Sequence, residues 1–460
     1  MMTVKEHNLK SKNESASMVR DLTEGGVFRL LITFAAPLFV SNALQGIYNV
    51  VDMIVVGQVI GGTGMSAVST GGNILHILTF LAMGFSSAGQ VIIARDVGQG
   101  DMEGVKKTIG SMFTLLLGMS LGMAFICYLL RRQILGLVNT PAEAWNFTMD
   151  YTVICICGLV FIYGYNIVSA IMRGMGDSKR PFIFVAIAAV LNMALDIIFV
   201  AFMGMEVAGA ALATVIGQGF SFIYAMIYLY HHKESFGFDF KLSSFKPETR
   251  TVQKLFSLGI PMAIQSAAIS ISQTIVAAWV NSFGVTASAM AGIISKINLM
   301  AGIMTNSITT AAASMVGQNL GAKKYDRVKK TLFCAFCLAL VFAIICSAIM
   351  TIWPQTVISW FTSDEAVLAE AMIVVGPMLI NFMGAAGRSF GFGIINGSGN
   401  SKLNLLVAIL DGMIARISLA YILGFIMEMG PEGFWYGDAI AGFMPLIIGG
   451  VFFLSGKWKK

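Results

Sequence analysis

The sequence predicts an all-α integral membrane protein, with twelve transmembrane helices in two pseudo-symmetric six-helix bundles related as parallel repeats. Three observations carry that fold class. Apolar residues make up 57% of the 460 and charged residues only 12%, with a mean hydropathy of +0.79. A soluble globular chain carries roughly 25% charge, so this one has too few charges to cover a surface in water. Apolar runs of about 20 residues or more, the length that crosses roughly 30 Å of hydrocarbon, recur throughout. Finally, RGMGDSK at 173–179 returns as NGSGNSK at 396–402, a displacement of 223 residues.

The runs predict helices over 28–56, 66–93, 106–130, 147–172, 181–203 and 207–230. In the second half they predict helices over 255–281, 287–316, 330–352, 367–395, 403–427 and 434–455. Continuous apolarity without period-two alternation selects helices over barrel strands. The repeat extends beyond one heptapeptide. VKKT at 105–108 recurs at 328–331, Pro37 and Pro261 each open an apolar run 224 residues apart, and VGQ at 97–99 recurs at 316–318. Fixed-period self-similarity of this kind marks two copies of one unit. Six spans per copy is an even number, so both copies enter from the same side and the pseudo-twofold runs along the membrane normal. Residues 27–230 form the N-lobe and 255–455 the C-lobe. The only long polar connection, 231–254, is the cytoplasmic linker between them. Residues 1–26 read as a polar cytoplasmic arm and 456–460 as a cytoplasmic tail. The first apolar run begins too late and is too long for a cleavable signal.

Charge placement sets the orientation. With the N-terminus inside, cytoplasmic segments hold 25 of the 30 Lys and Arg residues, while predicted outer loops hold only Arg131 and Arg132. Such a bias places both termini in the cytoplasm of a cell-membrane protein. The net charge of +6 therefore reports topology and implies no nucleic-acid partner.

Chemistry that the chain does not carry narrows its function. No Ser–His–Asp order, Walker loop or HExxH motif is present, so an enzyme is not expected, and an ATP-driven pump would need a nucleotide domain. Cys334 and Cys337 form a CxxC inside an apolar span, without a second ligand pair at metal-site spacing, and read as packing. His76 and most of the thirty methionines read the same way, although a Met- and Phe-lined cavity also suits promiscuous apolar substrates.

Ionisable residues inside the spans are functional candidates because burial there is costly. They are Asp52, Asp196, Asp411 and Asp438, with Lys296, Arg388 and Arg416. At about 1.5 Å of rise per residue, Asp52 lies roughly 7 Å, Asp196 roughly 10 Å and Thr214 roughly 12 Å inside the outer ends of helices one, five and six. Asn192 shares a face with Asp196 at i−4, and Tyr48 and Gln45 extend a stripe from Asp52 at i−4 and i−7. Two carboxylates, an amide and a hydroxyl are hard oxygen ligands suited to a small cation. Held close in low dielectric, the same pair would exchange protons near neutral pH. The bland alternative is that each aspartate bonds a neighbouring group.

At these residues the chain resembles the multidrug and toxic compound extrusion (MATE) transporters, closest to the DinF-like branch. The resemblance rests on PLFVSNALQGIYNVVDMIVVG (37–57), VGQG with the following VKKT, MRGMGDSK, LNMALD (191–196) and VAGAALATVIGQ (207–218), and it covers about residues 27–455. It implies two six-helix bundles forming a V around a central cavity. It also implies export of cationic or amphipathic organic compounds in exchange for inward H⁺ or Na⁺, with no cofactor beyond that coupling ion. By motif the cation site falls on Asp52, Asn192, Asp196 and Thr214, which would also be the ligands of any Na⁺. Gln45, Tyr48 and Asn166 would line the nearby cavity, and Ser169 stands where some relatives have an asparagine. Pro37 matches the proline at which the first helix bends. The implied partners are small organic substrates and membrane lipid, for a chain working as a monomer.

The seventh helix lacks the carboxylate with which another branch binds Na⁺, and Gln265 is its main polar residue. In the C-lobe, Asp411 and Arg388 are expected either to pair or to leave Arg388 snorkelling inward. Lys296 would disfavour cationic substrates or supply an exchangeable charge. A displacement of 223 matches Asp52 to Ile275, Asn192 to Ala415, Asp196 to Leu419 and Thr214 to Gly437, which confines ion chemistry to the first half. The mechanism expected is alternating-access antiport, in which cation binding at Asp52 and Asp196 reshapes the outer N-lobe helices. A lipid-linked oligosaccharide flippase of the same superfamily is the rival. A receptor or scaffold without a transport cycle is the other, although it would not need matched carboxylates at one depth, and twelve spans with LNMALD argue against the flippase.

Overall fold

The computed structural model describes residues 19–459; Lys5, Lys10, Lys12, Lys460 and the rest of the predicted arm up to residue 18 lie outside the described residues. The twelve membrane segments are α1 (Val27–Ile60), α2 (Gly62–Gln99), α3 (Met102–Leu129), α4 (Ala142–Cys157 with Leu159–Gly174), α5 (Lys179–Phe202), α6 (Glu206–His231), α7 (Thr249–Asn281), α8 (Val285–Gly321), α9 (Tyr325–Ile352), α10 (Val375–Gly397), α11 (Ser401–Ile426) and α12 (Gly430–Leu454). Eleven are single helices long and apolar enough to span a membrane, and the two pieces of α4 make the twelfth, bent by 48°. The bend falls at Gly158, where a Cβ would come within 2.4 Å of the Val215 side chain on α6. Large apolar side chains such as Phe125, Phe333, Ile344 and Val451 stand exposed along these helices, as lipid-facing surface requires.

The chain divides into two compact units, and the division cuts through helices. One unit holds 40–259 with the segment before residue 22; the other holds 22–39 and 260–460. The sequence reading kept α1 whole in the N-lobe and started the C-lobe at 255, so both boundaries move. The cuts at 39/40 and 259/260 lie beside Pro37 and Pro261, which run inside continuous helices. Each proline removes one rung of the hydrogen-bond ladder and weakens the coupling between the halves of its helix there.

Early α1 packs into the second unit by a helical stripe. Leu31, Phe34, Ala35 and Leu38, spaced i, i+3, i+4 and i+7, are buried with Val276, Ile308, Ala312, Ala335 and Phe382. The chain leading into α1 is clasped by the same unit. Gln318 accepts from the Leu22 amide at 2.9 Å, Arg327 donates to the carbonyls of Gly25 and Glu24, and Lys324 donates to the Thr23 hydroxyl. In the first unit the linker lies on α3. Thr114 donates to the Phe245 carbonyl, Ser111 accepts from the Glu248 amide, and Gly110 leaves room for the Ser244 carbonyl.

The two copies match in backbone detail, and the match fixes the register. Left-handed residues recur at Gly61 and Gly284, Gly100 and Lys323, and Gly176 and Gly399, each pair 223 apart. Beyond the middle of α5 the displacement becomes 224, with left-handed Gly204 matching Glu428 and Glu206 matching Gly430. The wide-turn bond from the Met203 amide to Ile198 recurs from Met427 to Ile422, again at 224. One extra residue therefore sits in α11. It is taken up by a π-turn at Leu410–Ala415, which α5 lacks, whereas the π-turns at Ile197–Phe202 and Ile422–Ile426 correspond. In α1 and α7 the buried positions 41, 52 and 56 match 265, 276 and 280, also at 224.

Candidate functional site

Three helices of the first unit converge on the predicted polar cluster. Asp52 on α1 and Asn192 and Asp196 on α5 are buried, the last completely. One helical turn beyond each aspartate, Val56 and Val200 join a cluster with Tyr151, Cys155, Val207, Ala210 and Ala211. That cluster is an apolar floor under the carboxylates. Asp52 lies close enough to Asp196 for the two charges to act on each other. Thr214 on α6, half-buried, meets the Tyr151 hydroxyl, and the Tyr151 ring fills the space left by Gly71. Gly217 brings α6 against α5, since a Cβ there would sit 3.3 Å from that of Asn192.

Most polar atoms of Asp52, Asn192 and Asp196 lack partners within the protein. Asp52 Oδ1, both carboxylate oxygens of Asp196 and both amide atoms of Asn192 are buried without a hydrogen bond. Each such group costs about 1–3 kcal/mol if left unsatisfied, and more if charged. This is not the bland alternative, in which each aspartate would bond a neighbour. The donor set is hard oxygen, which fits a proton or Na⁺ in preference to a soft metal. Among the described residues, no three His, Cys, Asp or Glu side chains gather in a metal-holding group.

Beside this cluster lies a small cavity lined by Gln45, Tyr48, Tyr165, Val185, Ala188, Gln218 and Ser221. Gln45 and Tyr48 thus lie on one cavity. Asn166 and Ser169 are not among its lining residues: Asn166 donates to the Ile162 carbonyl of its own helix at 2.8 Å, and Ser169 is buried one turn along α4 from Tyr165. Tyr165, Gln218 and Ser221 escaped the sequence reading. Gln218 stands one turn from Thr214 and was within reach of it, whereas Tyr165 reads as part of an apolar run.

The second unit corrects one pairing. Asp411 bonds Arg416 at 3.0 Å, and Arg416 also pairs with Asp438. Arg388 instead donates to Asn381 at 3.4 Å. Five residues apart on an α-helix, Asp411 and Arg416 would diverge; the π-turn widens the helix between them and makes them neighbours. Gln265 is buried with its amide nitrogen unpaired, and Lys296 is exposed on α8. The register above also revises the matches. Asp52 corresponds to Val276, Asn192 to Arg416, Asp196 to Ala420 and Thr214 to Asp438. Both carboxylates of the first copy are replaced by apolar residues, while the amide and hydroxyl become a charged pair. His76 stacks edge-on against Phe80, and all six cysteines are free.

Comparison with known proteins agrees with this architecture. The MatE family model matches the chain twice, over residues 37–198 and 261–422, at the displacement of 224 found in the backbone. The probable multidrug resistance protein YpnP of Bacillus subtilis is 30% identical over 67% of this chain and 68% of its own. The probable multidrug resistance protein YoeA of the same organism is 26% identical over 94% of this chain and 95% of its own. A solved structure of a multidrug resistance MATE family transporter in its outward-facing conformation superposes with a TM-score of 0.88, at 20% identity, covering 95% of this chain and 98% of that one. With twelve apolar segments, a doubled six-helix unit and a family match over both copies, the chain belongs to the MATE family of multi-pass membrane transporters.

Proposed function

We propose that this protein is a cation-coupled efflux antiporter, which exports cationic or amphipathic organic compounds in exchange for inward H⁺ or Na⁺. The observation that supports this most is the set of buried, unpartnered oxygens of Asp52, Asn192 and Asp196, closed on one side by apolar packing. Carboxylates so placed are stable only while something positive is bound to them. Cation binding removes the mutual repulsion of the pair, and α1 and α5 can then close on each other. α1 yields where Pro37 has removed a rung of its ladder. The cavity holding Gln45, Tyr48, Tyr165 and Gln218 shares α1, α5 and α6 with the carboxylates, so a change in one reshapes the other. Coupling follows if cation and substrate prefer different shapes of these helices. The names of the Bacillus relatives support a multidrug range, and the distribution of basic residues supports cytoplasmic termini.

The test is efflux of a fluorescent organic cation from vesicles with Na⁺ and pH gradients imposed separately. Asp52→Asn and Asp196→Asn should each abolish gradient-driven efflux while membrane expression stays intact. Undiminished efflux in either variant would remove the centre of the mechanism.

A further inference from the structure

We propose that the second lobe contains a cation site permanently filled by its own side chain, the Arg416 guanidinium held between Asp411 and Asp438, so that this lobe takes no exchangeable cation. The inference builds on the reading of the first lobe as the cation site, and it rests on two separate observations. One is register. At the displacement of 224, Arg416 stands where the first lobe has Asn192, and Asp438 stands where it has Thr214. The same correspondence is visible in packing: Gly164 faces Phe222 in one copy as Gly387 faces Leu446 in the other, and Gly209 faces Phe199 as Gly433 faces Leu423.

The other observation is the cluster itself. Asp411 is fully buried and Arg416 nearly so, and the guanidinium bonds Asp411 Oδ1 with one nitrogen and Asp438 with the other. A second guanidinium stands nearby. Arg388, at the place of Tyr165, lies over Gly442, at the place of Gln218, where a Cβ would come within 2.3 Å of its Nη1. The glycine leaves the space that the Gln218 side chain fills in the first lobe. Arg388, Arg416 and Asp438 are the charged groups that act on Asp411, and the four together carry no net charge. A mobile cation therefore meets no net negative charge there. In the first lobe the corresponding ground holds two carboxylates and no internal cation. Asp411 Oδ2 remains buried and unbonded, so the site keeps an oxygen ready for a replacement cation.

The test uses the full-length protein in detergent, with thermal unfolding followed against Na⁺ at constant ionic strength and against acidification through neutrality. Asp52→Asn with Asp196→Asn silences the first lobe, and in that background the second lobe should give no response. Adding Arg416→Asn should create a saturable stabilisation by Na⁺ or by protons. That response should vanish with Asp411→Asn and Asp438→Asn, and Arg416→Lys should not produce it. A folded Arg416→Asn variant without either response would overturn the proposal. So would a response already present in the silenced parent that depends on Asp411. If Arg416→Asn yields no monodisperse protein, Arg416→Ala grown and purified with methylguanidinium should recover it where tetramethylammonium does not; failure of that rescue is equally fatal. A wild-type protein indifferent to both ions, beside an Arg416→Asn variant that responds, would sink the first-lobe reading and leave the tethered cation standing.

Discussion

Gly391 offers the sharpest test of how the second lobe is packed. α10 and α12 cross with almost no separation there. A Cβ on Gly391 would sit 2.0 Å from the Pro445 carbonyl oxygen and 2.3 Å from its carbon, and one on Gly449 would sit 2.6 Å from the Gly391 Cα. These obstacles are backbone, so no side chain can swing aside. Non-bonded atoms rest at about 3.5–4.0 Å, and Gly391→Ala must therefore push the helices apart by on the order of 1 Å. Overpacking of this kind costs about 1–3 kcal/mol. Close backbone approach is also the main source of helix association in lipid, where apolar burial contributes little. Gly450 supplies the control: it is the next residue on α12, and a Cβ there meets nothing within 4 Å. Gly450→Ala should raise stability by up to about 1 kcal/mol through helix propensity alone. Gly449→Ala should lower it, and the two adjacent variants should move in opposite directions. Gly391→Ala combined with Gly449→Ala should cost less than the sum, since helices already parted accept the second methyl. Thermal unfolding in detergent, followed by tryptophan fluorescence, reads all four. If Gly391→Ala unfolds at the wild-type temperature, or Gly449→Ala and Gly450→Ala cannot be distinguished, the packing argument fails.

Two further outcomes follow from backbone and charge. Lys323 holds the left-handed conformation, φ 57°, that Gly100 holds at the same place in the first copy. Lys323→Gly relieves about 1–2 kcal/mol of that strain and gives back about 0.4–1 kcal/mol in unfolded-chain entropy. It should therefore raise the unfolding temperature, and Gly100→Lys should lower it. In the linker, Asp239 is held down to about 2 from 3.8, first by the Ser244 hydroxyl and then by the Lys241 amide. A depressed carboxylate stabilises above its ordinary value and loses that contribution as pH falls toward the depressed one. The 239–244 turn should therefore stay closed down to about pH 4 and open below it by hydrogen exchange, and Ser244→Ala should move the opening upward. An opening point that Ser244→Ala leaves unmoved would exclude this origin.

Much of this architecture could be read from the sequence, because it follows from quantities the sequence states directly. Span length, apolarity and the repeat gave twelve segments, and the helices carrying Asp52, Asn192, Asp196 and Thr214 placed them in one unit. What could not be read depends on single backbone turns. The bend at Gly158 looks like any glycine in an apolar run until Val215 is found beside it. The π-turn at Leu410–Ala415 has no compositional mark, yet it decides that Asp411 meets Arg416 and not Arg388. The same turn shifted every match beyond it by one residue, which hid the correspondence of Thr214 with Asp438. Tyr165 was missed for a different reason: its hydroxyl is polar, but its ring stands in an apolar run among buried neighbours.

That π-turn has a meaning beyond local geometry. One residue added to a helix rotates everything after it by about 100°, unless the helix absorbs the surplus as a wide turn. Here it is absorbed within Leu410–Ala415, and the later backbone landmarks keep step with the first copy. One residue more than its counterpart thus sets Asp411 against Arg416 while the surrounding bundle keeps its register. The two halves of this transporter differ in charge not only in which residues they hold but in the count of residues between them.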